Sequence, residues 1–92
     1  MGREKWLDCT ISEGQFTGEF AVQAQMFDST VFSLFARKED LRLNEEPTGD
    51  KTVEGSIRVI SLDEKGDLVL ISLPRPTFEN GRTITVKKSQ VK

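Results

Sequence analysis

The sequence predicts a single all-β domain, built as a small barrel or a two-sheet sandwich of about six antiparallel strands. Apolar and polar residues alternate with a period of two in most segments, which is typical of half-buried strands. Turn residues separate these segments at intervals of roughly 8–15 residues. The chain has 92 residues, enough for one modest core, so we expect one domain over residues 1–92.

The first half, residues 1–43, predicts three strands and a short helical turn. In "KWLDCTIS", Leu7, Cys9 and Ile11 alternate with polar residues, and "EFAVQAQM" repeats this alternation after the turn "EGQFTG", so the two segments form a hairpin. "VFSLFA" is apolar on both faces and fits an interior strand. "ARKEDLRL" has a helical pattern but is only about two turns long, so residues 36–42 should form a capping turn.

The second half, residues 51–92, follows an apolar-free loop at 44–50 and predicts three more strands. "KTVEGSIRVISL" alternates around Gly55, a position that favours a bulge or a tight bend. "DLVLISL" is the most apolar run of the chain. We therefore expect it to be a strand covered on both faces, at the centre of the core.

The last stretch, "LPRPTFENGRTITVKKSQVK", has the strongest local signals. Pro74 and Pro76 remove backbone donors, so this segment can pair on one side only and predicts a sheet edge or a crossing between sheets. Asn80-Gly81 predicts a type I′ hairpin in which Glu79 faces Arg82. The ending "TITVKKSQV" resembles the last strand of SH3-like barrels over nine residues, which implies a barrel of that or a related kind.

The two halves have similar apolar patterns. A shift of 49 residues sets Ile11 over Ile60 and Val22 over Ile71, and a shift of 50 sets Leu41 over Val91. Identities between the halves are few. The pattern fits a duplicated unit with a pseudo-twofold axis, and it also fits two merely similar β meanders, so both interpretations stay open.

The composition argues against an enzyme. The chain has no histidine and one cysteine, Cys9, which removes histidine general bases, triads and zinc sites. Cys9 shares a face with Leu7 and Ile11 and is expected to be a core residue. The paired carboxylates, such as Asp63-Glu64, fall in predicted loops and are expected to be solvated. We therefore expect no catalytic residue, no metal site and no cofactor.

Binding is the function class that remains. Phe20, Phe32 and Phe35 fit inside the core, whereas other aromatic residues fall at strand ends or turns. Phe78 could stack a base beside basic residues, but the favoured interpretation is that it covers the core. The candidate binding surface comprises Arg75, Phe78, Arg82, Lys87, Lys88, Trp6 and Phe27.

Two functions follow as hypotheses. The first is a protein-interaction module or subunit that binds a partner protein or a second copy through the sheet edge near Pro74–Phe78. The alternative is a single-stranded nucleic-acid-binding barrel that uses the basic residues of the last hairpin. The net charge of −2 favours the first hypothesis. No apolar run approaches the roughly 18 residues that span a membrane, and the start of the chain lacks the apolar core of a secretion signal, so we expect a cytoplasmic protein without membrane contact.

Overall fold

The computed structural model describes residues 2–92 and shows one curled antiparallel sheet, a half-barrel, with two short 3-10 turns. This confirms the all-β prediction, and the single curled sheet is barrel-like and is not a two-sheet sandwich. Six strands follow the order β3-β2-β1-β5-β6-β7, and the three-residue β4 pairs with β5. The strands are β1 (Arg3–Glu13), β2 (Glu19–Gln25), β3 (Val31–Arg37), β4 (Leu41–Leu43), β5 (Val53–Lys65), β6 (Leu68–Thr77) and β7 (Gly81–Lys87). The 3-10 turns are Lys38–Asp40 and Lys88–Gln90.

The strands lie where the alternation predicts them, because every second side chain faces the core. In β1, Leu7, Cys9 and Ile11 are buried, and in β5, Ile57 and Val59 are buried. Of the predicted helical turn at 36–42, Lys38–Asp40 is the first 3-10 turn, while residues 36–37 end β3 and residues 41–42 begin β4. No helix among residues 2–92 is long and apolar enough to cross a membrane.

An approximate twofold axis relates the two halves and passes through the paired strands β1 and β5 at the centre of the sheet. Leu7 of β1 lies opposite Ile57 of β5. On the far side of β5, Ile57 pairs with Leu41 of β4, and on the far side of β1, Leu7 pairs with Val91. Each half therefore runs through three strands and a 3-10 turn, and then adds a short segment to the first strand of the other half.

The pairing of β2 with β3 and that of β6 with β7 follow the same twofold relation. Val22 of β2 lies opposite Leu34 of β3, and the equivalent residues, Ile71 of β6 and Ile84 of β7, lie opposite each other. Equivalent residues differ by 49 positions between β2 and β6, as the sequence pattern indicated. Between β1 and β5 they differ by 50, so the alignment of Ile11 with Ile60 is wrong, since Ile11 is buried and Ile60 is exposed.

The two edge strands, β3 and β7, are joined by backbone hydrogen bonds from turns. The N–H of Phe78, in the β6–β7 turn, donates to the carbonyl oxygen of Ser33 in β3 at 2.9 Å. The N–H of Phe27, in the β2–β3 turn, donates to the carbonyl oxygen of Thr85 in β7 at 3.0 Å. Each edge thus receives a turn from the other half, and these bonds hold the sheet curled around its core.

Two local predictions about the sheet are wrong. Gly55 forms no bulge, since its register with β1 is continuous, and the register shift in β5 falls instead between Ser61 and Asp63. A glycine is needed at 55 because a Cβ there would lie 2.4 Å from the carbonyl oxygen of Arg42, where β4 crosses closely.

The predicted type I′ turn is also wrong. Thr77 pairs with Gly81, so the loop contains the three residues 78–80 and not Asn80-Gly81 alone. The hydroxyl of Thr77 accepts from the N–H of Asn80 at 2.8 Å and donates to the carbonyl oxygen of Gly81 at 2.7 Å. These bonds favour the longer loop, and Glu79 consequently turns away from Arg82.

The segment Pro74–Phe78, predicted as a sheet edge or a crossing between sheets, lies at the end of β6 and the start of the β6–β7 loop. Most of it belongs to β6, which lies between β5 and β7, but the pairing of β6 with β5 ends at Ser72. Pro74 and Pro76 lie beyond that point, where β5 requires no donor from them. The prolines therefore mark the place where β6 leaves β5.

Candidate functional site

The seven residues of the predicted binding surface are distributed over several elements. Trp6 lies in β1, which is separated from β6 by β5 in the sheet. Phe27 and Phe78 lie in the two turns that join the sheet edges, Lys87 ends β7, and Lys88 starts the second 3-10 turn.

Phe78 faces outward and does not cover the core. Its side chain is 64% exposed. The ring packs edge-to-face on Phe35, with centroids 5.1 Å apart and an interplanar angle of 77°. Phe35 itself lies on the outer face, between the buried Leu34 and Ala36, so its predicted core position is also wrong. The carboxylate of Glu79 accepts from the N–H of Ser33 at 3.0 Å, which fixes the loop on β3.

Arg82 is anchored to the backbone of its own hairpin. Its Nε donates to the carbonyl oxygen of Leu73 at 3.0 Å, and its Nη2 donates to the carbonyl oxygen of Pro74 at 2.7 Å. Both carbonyls belong to the part of β6 that has left β5. Arg82 thus replaces strand pairing there, and neutral acceptors leave its positive charge uncompensated.

Trp6 belongs to a cluster on the outer face of β1, β4 and β5. The guanidinium carbon of Arg42 lies 3.9 Å from the centroid of a Trp6 ring, a cation–π contact. Arg58, opposite Trp6 in register, forms an ion pair with the buried Asp40 at 2.5 Å. Trp6 is half-buried in this cluster, which indicates a packing role.

Cys9 is buried as predicted, and its environment suppresses thiol chemistry. Burial raises the pKa of the thiol to about 12 from 9.0, and the nearby carboxylate of Asp8 adds to the rise. The nucleophile is the thiolate, so Cys9 is inert at neutral pH. Among residues 2–92, no group of three or more His, Cys, Asp or Glu side chains is placed to hold a metal ion.

We expect the Cys9 thiol of the folded protein to react with a maleimide or disulfide reagent at pH 8 about a thousandfold more slowly than in urea. The raised pKa disfavours ionisation in the folded state. The raised pKa of Cys9 therefore contributes to the free energy of unfolding fully below pH 9.0, and this contribution is lost as the pH rises towards about 12. The matched control is Ser89→Cys, at an exposed position, in a Cys9→Ala background. If Cys9 reacted as fast as this control thiol, its burial would be contradicted.

The structure also reveals a surface that the sequence patterns did not indicate. Four aliphatic side chains on β5 and β6 are exposed: Ile60 by 39%, Leu62 by 45%, Leu68 by 36% and Leu70 by 36%. We call these four residues the outer stripe. "DLVLISL" was expected to be covered on both faces, but only Val69, Ile71 and Leu73 face the core, so that expectation is wrong.

The twofold relation shows that this fold does not require an apolar outer face. The positions of the first half that correspond to the outer stripe are largely polar: Thr10, Ser12, Glu19 and Ala21. They occupy the corresponding places on β1 and β2, except that Leu62 lies at the register shift of β5 and has no paired residue in β6, whereas Ser12 pairs with Ala21. The same backbone therefore carries a largely polar face in one half and an aliphatic face in the other.

Comparison with known proteins gives no related example of either outer face. The chain matches no protein-family model, no curated protein and no solved structure.

The other exposed apolar residues do not extend the outer stripe. Phe16 lies in the β1–β2 turn, Phe27 lies in the β2–β3 turn, and Val31 is the first residue of β3. A comparison of the halves at a shift of 49 could have marked Leu68 and Leu70 from the sequence, since it sets them over Glu19 and Ala21.

Proposed function

We propose that the chain is a non-enzymatic protein-interaction module and that the outer stripe is its contact surface. The observation that carries this proposal is the contrast between the halves. Four equivalent outward positions are aliphatic on β5 and β6 and largely polar on β1 and β2. Packing of the core does not account for the contrast, because within one chain the same arrangement of strands carries a largely polar outer face in the first half and an aliphatic outer face in the second.

The proposed contact is modest in energy. Fully burying one Leu or Ile side chain contributes roughly 1.5–3 kcal/mol. Completing the burial of four side chains that are already more than half covered adds about 3 kcal/mol before the costs of association. The interface must therefore include polar contacts around the outer stripe, and it belongs to the weak or transient class.

The chemistry of the chain supports binding over catalysis. Histidine is absent from the sequence, and the single thiol is held protonated. An apolar surface such as the outer stripe needs no general base or nucleophile in order to bind a protein.

Site-specific photocrosslinking in the native host tests the proposal. A photoreactive phenylalanine analogue replaces Leu70 in one variant and the equivalent Ala21 in a matched control. We expect Leu70 to crosslink a defined protein and Ala21 to crosslink it at least about tenfold less, because four apolar contacts favour the outer stripe. Equal crosslinking from both positions, or none from Leu70, would contradict the proposal.

A second candidate, single-stranded nucleic-acid binding, is supported by the outward orientation of Phe78. An exposed aromatic ring near an uncompensated arginine is the arrangement on which bases stack. In the described part of the chain, neither Arg75 nor Arg82 is within salt-bridge distance of a carboxylate, whereas Lys88 lies 3.7 Å from Glu64. This leaves two free arginines for phosphate contacts.

Titration with a labelled oligothymidine at low and high salt tests this candidate. We expect binding that weakens with salt, and a roughly tenfold or greater loss on Phe78→Ala, since one stacked base contributes about 1–3 kcal/mol. No binding at low salt would rule it out.

A further inference from the structure

We propose that the cleft between β1 and β2 binds a small uncharged molecule that carries an amide-type edge, an N–H beside a C=O. The cleft lies where the two strands separate, next to their last pair, Thr10–Gln23. Its volume is about 530 Å³, which is typical of small-molecule sites in proteins. The cleft contains no residue of the outer stripe, so this site is independent of the proposed protein contact.

One wall of the cleft is an unpaired stretch of the β1 backbone. The N–H of Trp6 donates to the carbonyl oxygen of Lys92 at 2.9 Å, and the N–H of Lys92 donates to the carbonyl oxygen of Trp6 at 2.9 Å. Residues two apart in a strand direct their backbone groups to the same side, so the N–H and C=O of Asp8 also face away from β5. Because β2 pairs with β1 only from Thr10 onwards, both groups of Asp8 lack a strand partner.

The opposite wall adds one more backbone donor, from β2. The N–H of Met26 donates towards β3, to the carbonyl oxygen of Thr30 at 2.8 Å. Adjacent residues direct their backbone groups to opposite sides, so those of Gln25 face the cleft. The carbonyl oxygen of Gln25 accepts from Nε2 of Gln90 at 2.9 Å, whereas its N–H has no strand partner. Two backbone donors and one acceptor therefore face the cleft, and they match a ligand that presents an N–H beside a C=O.

The side chains around the cleft favour an uncharged ligand. The carboxylates of Asp8 and Glu54 line it and disfavour an anion. The ammonium group of Lys92, 3.8 Å from the Asp8 carboxylate, disfavours a cation. A carboxamide both donates and accepts, so it suits a neutral polar molecule. Three carboxamides line the cleft: Gln23, Gln25 and Gln90.

The equivalent place in the second half is narrower and its backbone groups are occupied. There β6 leaves β5 after the pair Ile60–Ser72, and the cleft has a volume of about 270 Å³. Pro74 stands at the position equivalent to Gln25 and has no N–H to offer. The side chain of Arg82 lines this cleft and donates to the carbonyl oxygens of Leu73 and Pro74.

The core-facing side chains beneath the two clefts differ in the same direction. Cys9 and Ala24 line the cleft of the first half, and both are small. Their equivalents in the second half, Val59 and Leu73, are larger. The strand arrangement is common to both halves, so it does not by itself produce the opening between β1 and β2.

An amide-type edge occurs in peptides and in heterocycles, and two probes separate these sources. N-acetylglycinamide carries flexible peptide groups, whereas uracil holds an N–H between two C=O groups in a rigid ring. We expect the better probe to bind with a dissociation constant of about 1 mM or lower, because a molecule of so few atoms makes few contacts.

Nitrogen–proton correlation NMR of the full chain, titrated with each probe, tests the proposal. We expect saturable shifts of the backbone amide signals of Asp8 and Gln25 and of the side-chain amide of Gln90. The backbone amides of Arg58 and Leu73, at equivalent places in the second half, are internal controls and should not shift.

Two variants copy the closed cleft of the second half. Gln25→Pro removes a donor that β3 does not use, and Ala24→Leu fills the space above the core. We expect each to raise the dissociation constant of the better probe by at least about tenfold. Ala21→Leu makes the same change as Ala24→Leu on the outer face of β2, outside the cleft, and should bind like the unmodified chain. Circular dichroism verifies that all three variants fold.

Three outcomes would overturn the proposal. The first is no saturable shift at Asp8 and Gln25 with either probe up to about 20 mM, well above the expected dissociation constant. The second is a shift of equal size at Arg58 and Leu73. The third is Gln25→Pro and Ala24→Leu variants that bind like the unmodified chain. Saturable binding of one probe alone supports the site and assigns its ligand to the peptide or to the heterocyclic source.

Discussion

Replacing Phe32 with alanine is expected to lower the free energy of unfolding by about 3–5 kcal/mol, measured by equilibrium urea denaturation. Phe32 lies in β3, is fully buried at 0% exposure and is the largest fully buried side chain of the described core. Removing its ring deletes apolar contacts and leaves a cavity that a closely packed sheet only partly fills. Because a domain of this size is stable by roughly 5–15 kcal/mol, the loss is a large fraction of the total.

Phe16→Ala is the matched control for this substitution. Phe16 is 71% exposed in the β1–β2 turn, so we expect its loss to change the free energy of unfolding by less than about 0.5 kcal/mol. If Phe32→Ala cost less than about 1 kcal/mol, the assignment of Phe32 to the core would be contradicted.

Replacing Gly55 with valine is expected to lower the free energy of unfolding by about 2–3 kcal/mol. A Cβ at position 55 would lie 2.4 Å from the carbonyl oxygen of Arg42 and 2.7 Å from Cδ1 of Ile11. The first of these atoms belongs to the backbone of β4, which pairs with Gly55 through Leu43. The side chain therefore fits only if β4 moves away from β5.

Glu54→Val separates this steric effect from the strand preference of valine. Glu54 is the exposed neighbour of Gly55 in β5, and we expect the free energy of unfolding to change by less than about 0.5 kcal/mol there. Amide hydrogen exchange should show faster exchange in β4 of Gly55→Val alone. An undiminished stability of Gly55→Val would mean that β4 does not approach β5 as described.

The strands could be predicted from the sequence because their signal is local. Alternation in "KWLDCTIS" and "EFAVQAQM" reflects the period of two by which strands bury every second side chain, and the buried Leu7, Ile11 and Val22 follow it. The shift of 49 to 50 residues between the halves was visible for the same reason. In the structure, Val22 and Ile71 occupy equivalent positions, since each pairs with the equivalent residue of the next strand.

Features that depend on distant contacts could not be predicted in this way. Phe78 is exposed because its loop docks on Ser33 of β3, which lies far away in sequence. The hairpin preference of Asn80-Gly81 is local, but the hydroxyl of Thr77 overrides it by bonding both Asn80 and Gly81.

The candidate site was missed for a different reason. In an apolar run such as "DLVLISL", composition does not reveal that Leu68 and Leu70 face solvent while Val69 and Ile71 face the core. Periodicity alone cannot separate a strand covered on both faces from one with an uncovered apolar face. Only the comparison with the equivalent Glu19 and Ala21 marks the outer face as unusual.

We propose that the outer stripe serves contact with a partner and not the fold. Urea denaturation tests this on a variant in which the outer stripe takes the residues of the equivalent positions. That variant carries Ile60→Thr, Leu62→Ser, Leu68→Glu and Leu70→Ala. We expect the four changes together to lower the free energy of unfolding by no more than about 2 kcal/mol, less than Phe32→Ala alone. A loss as large as that of Phe32→Ala, or larger, would contradict the claim, because the outer stripe would then be part of what holds the sheet together.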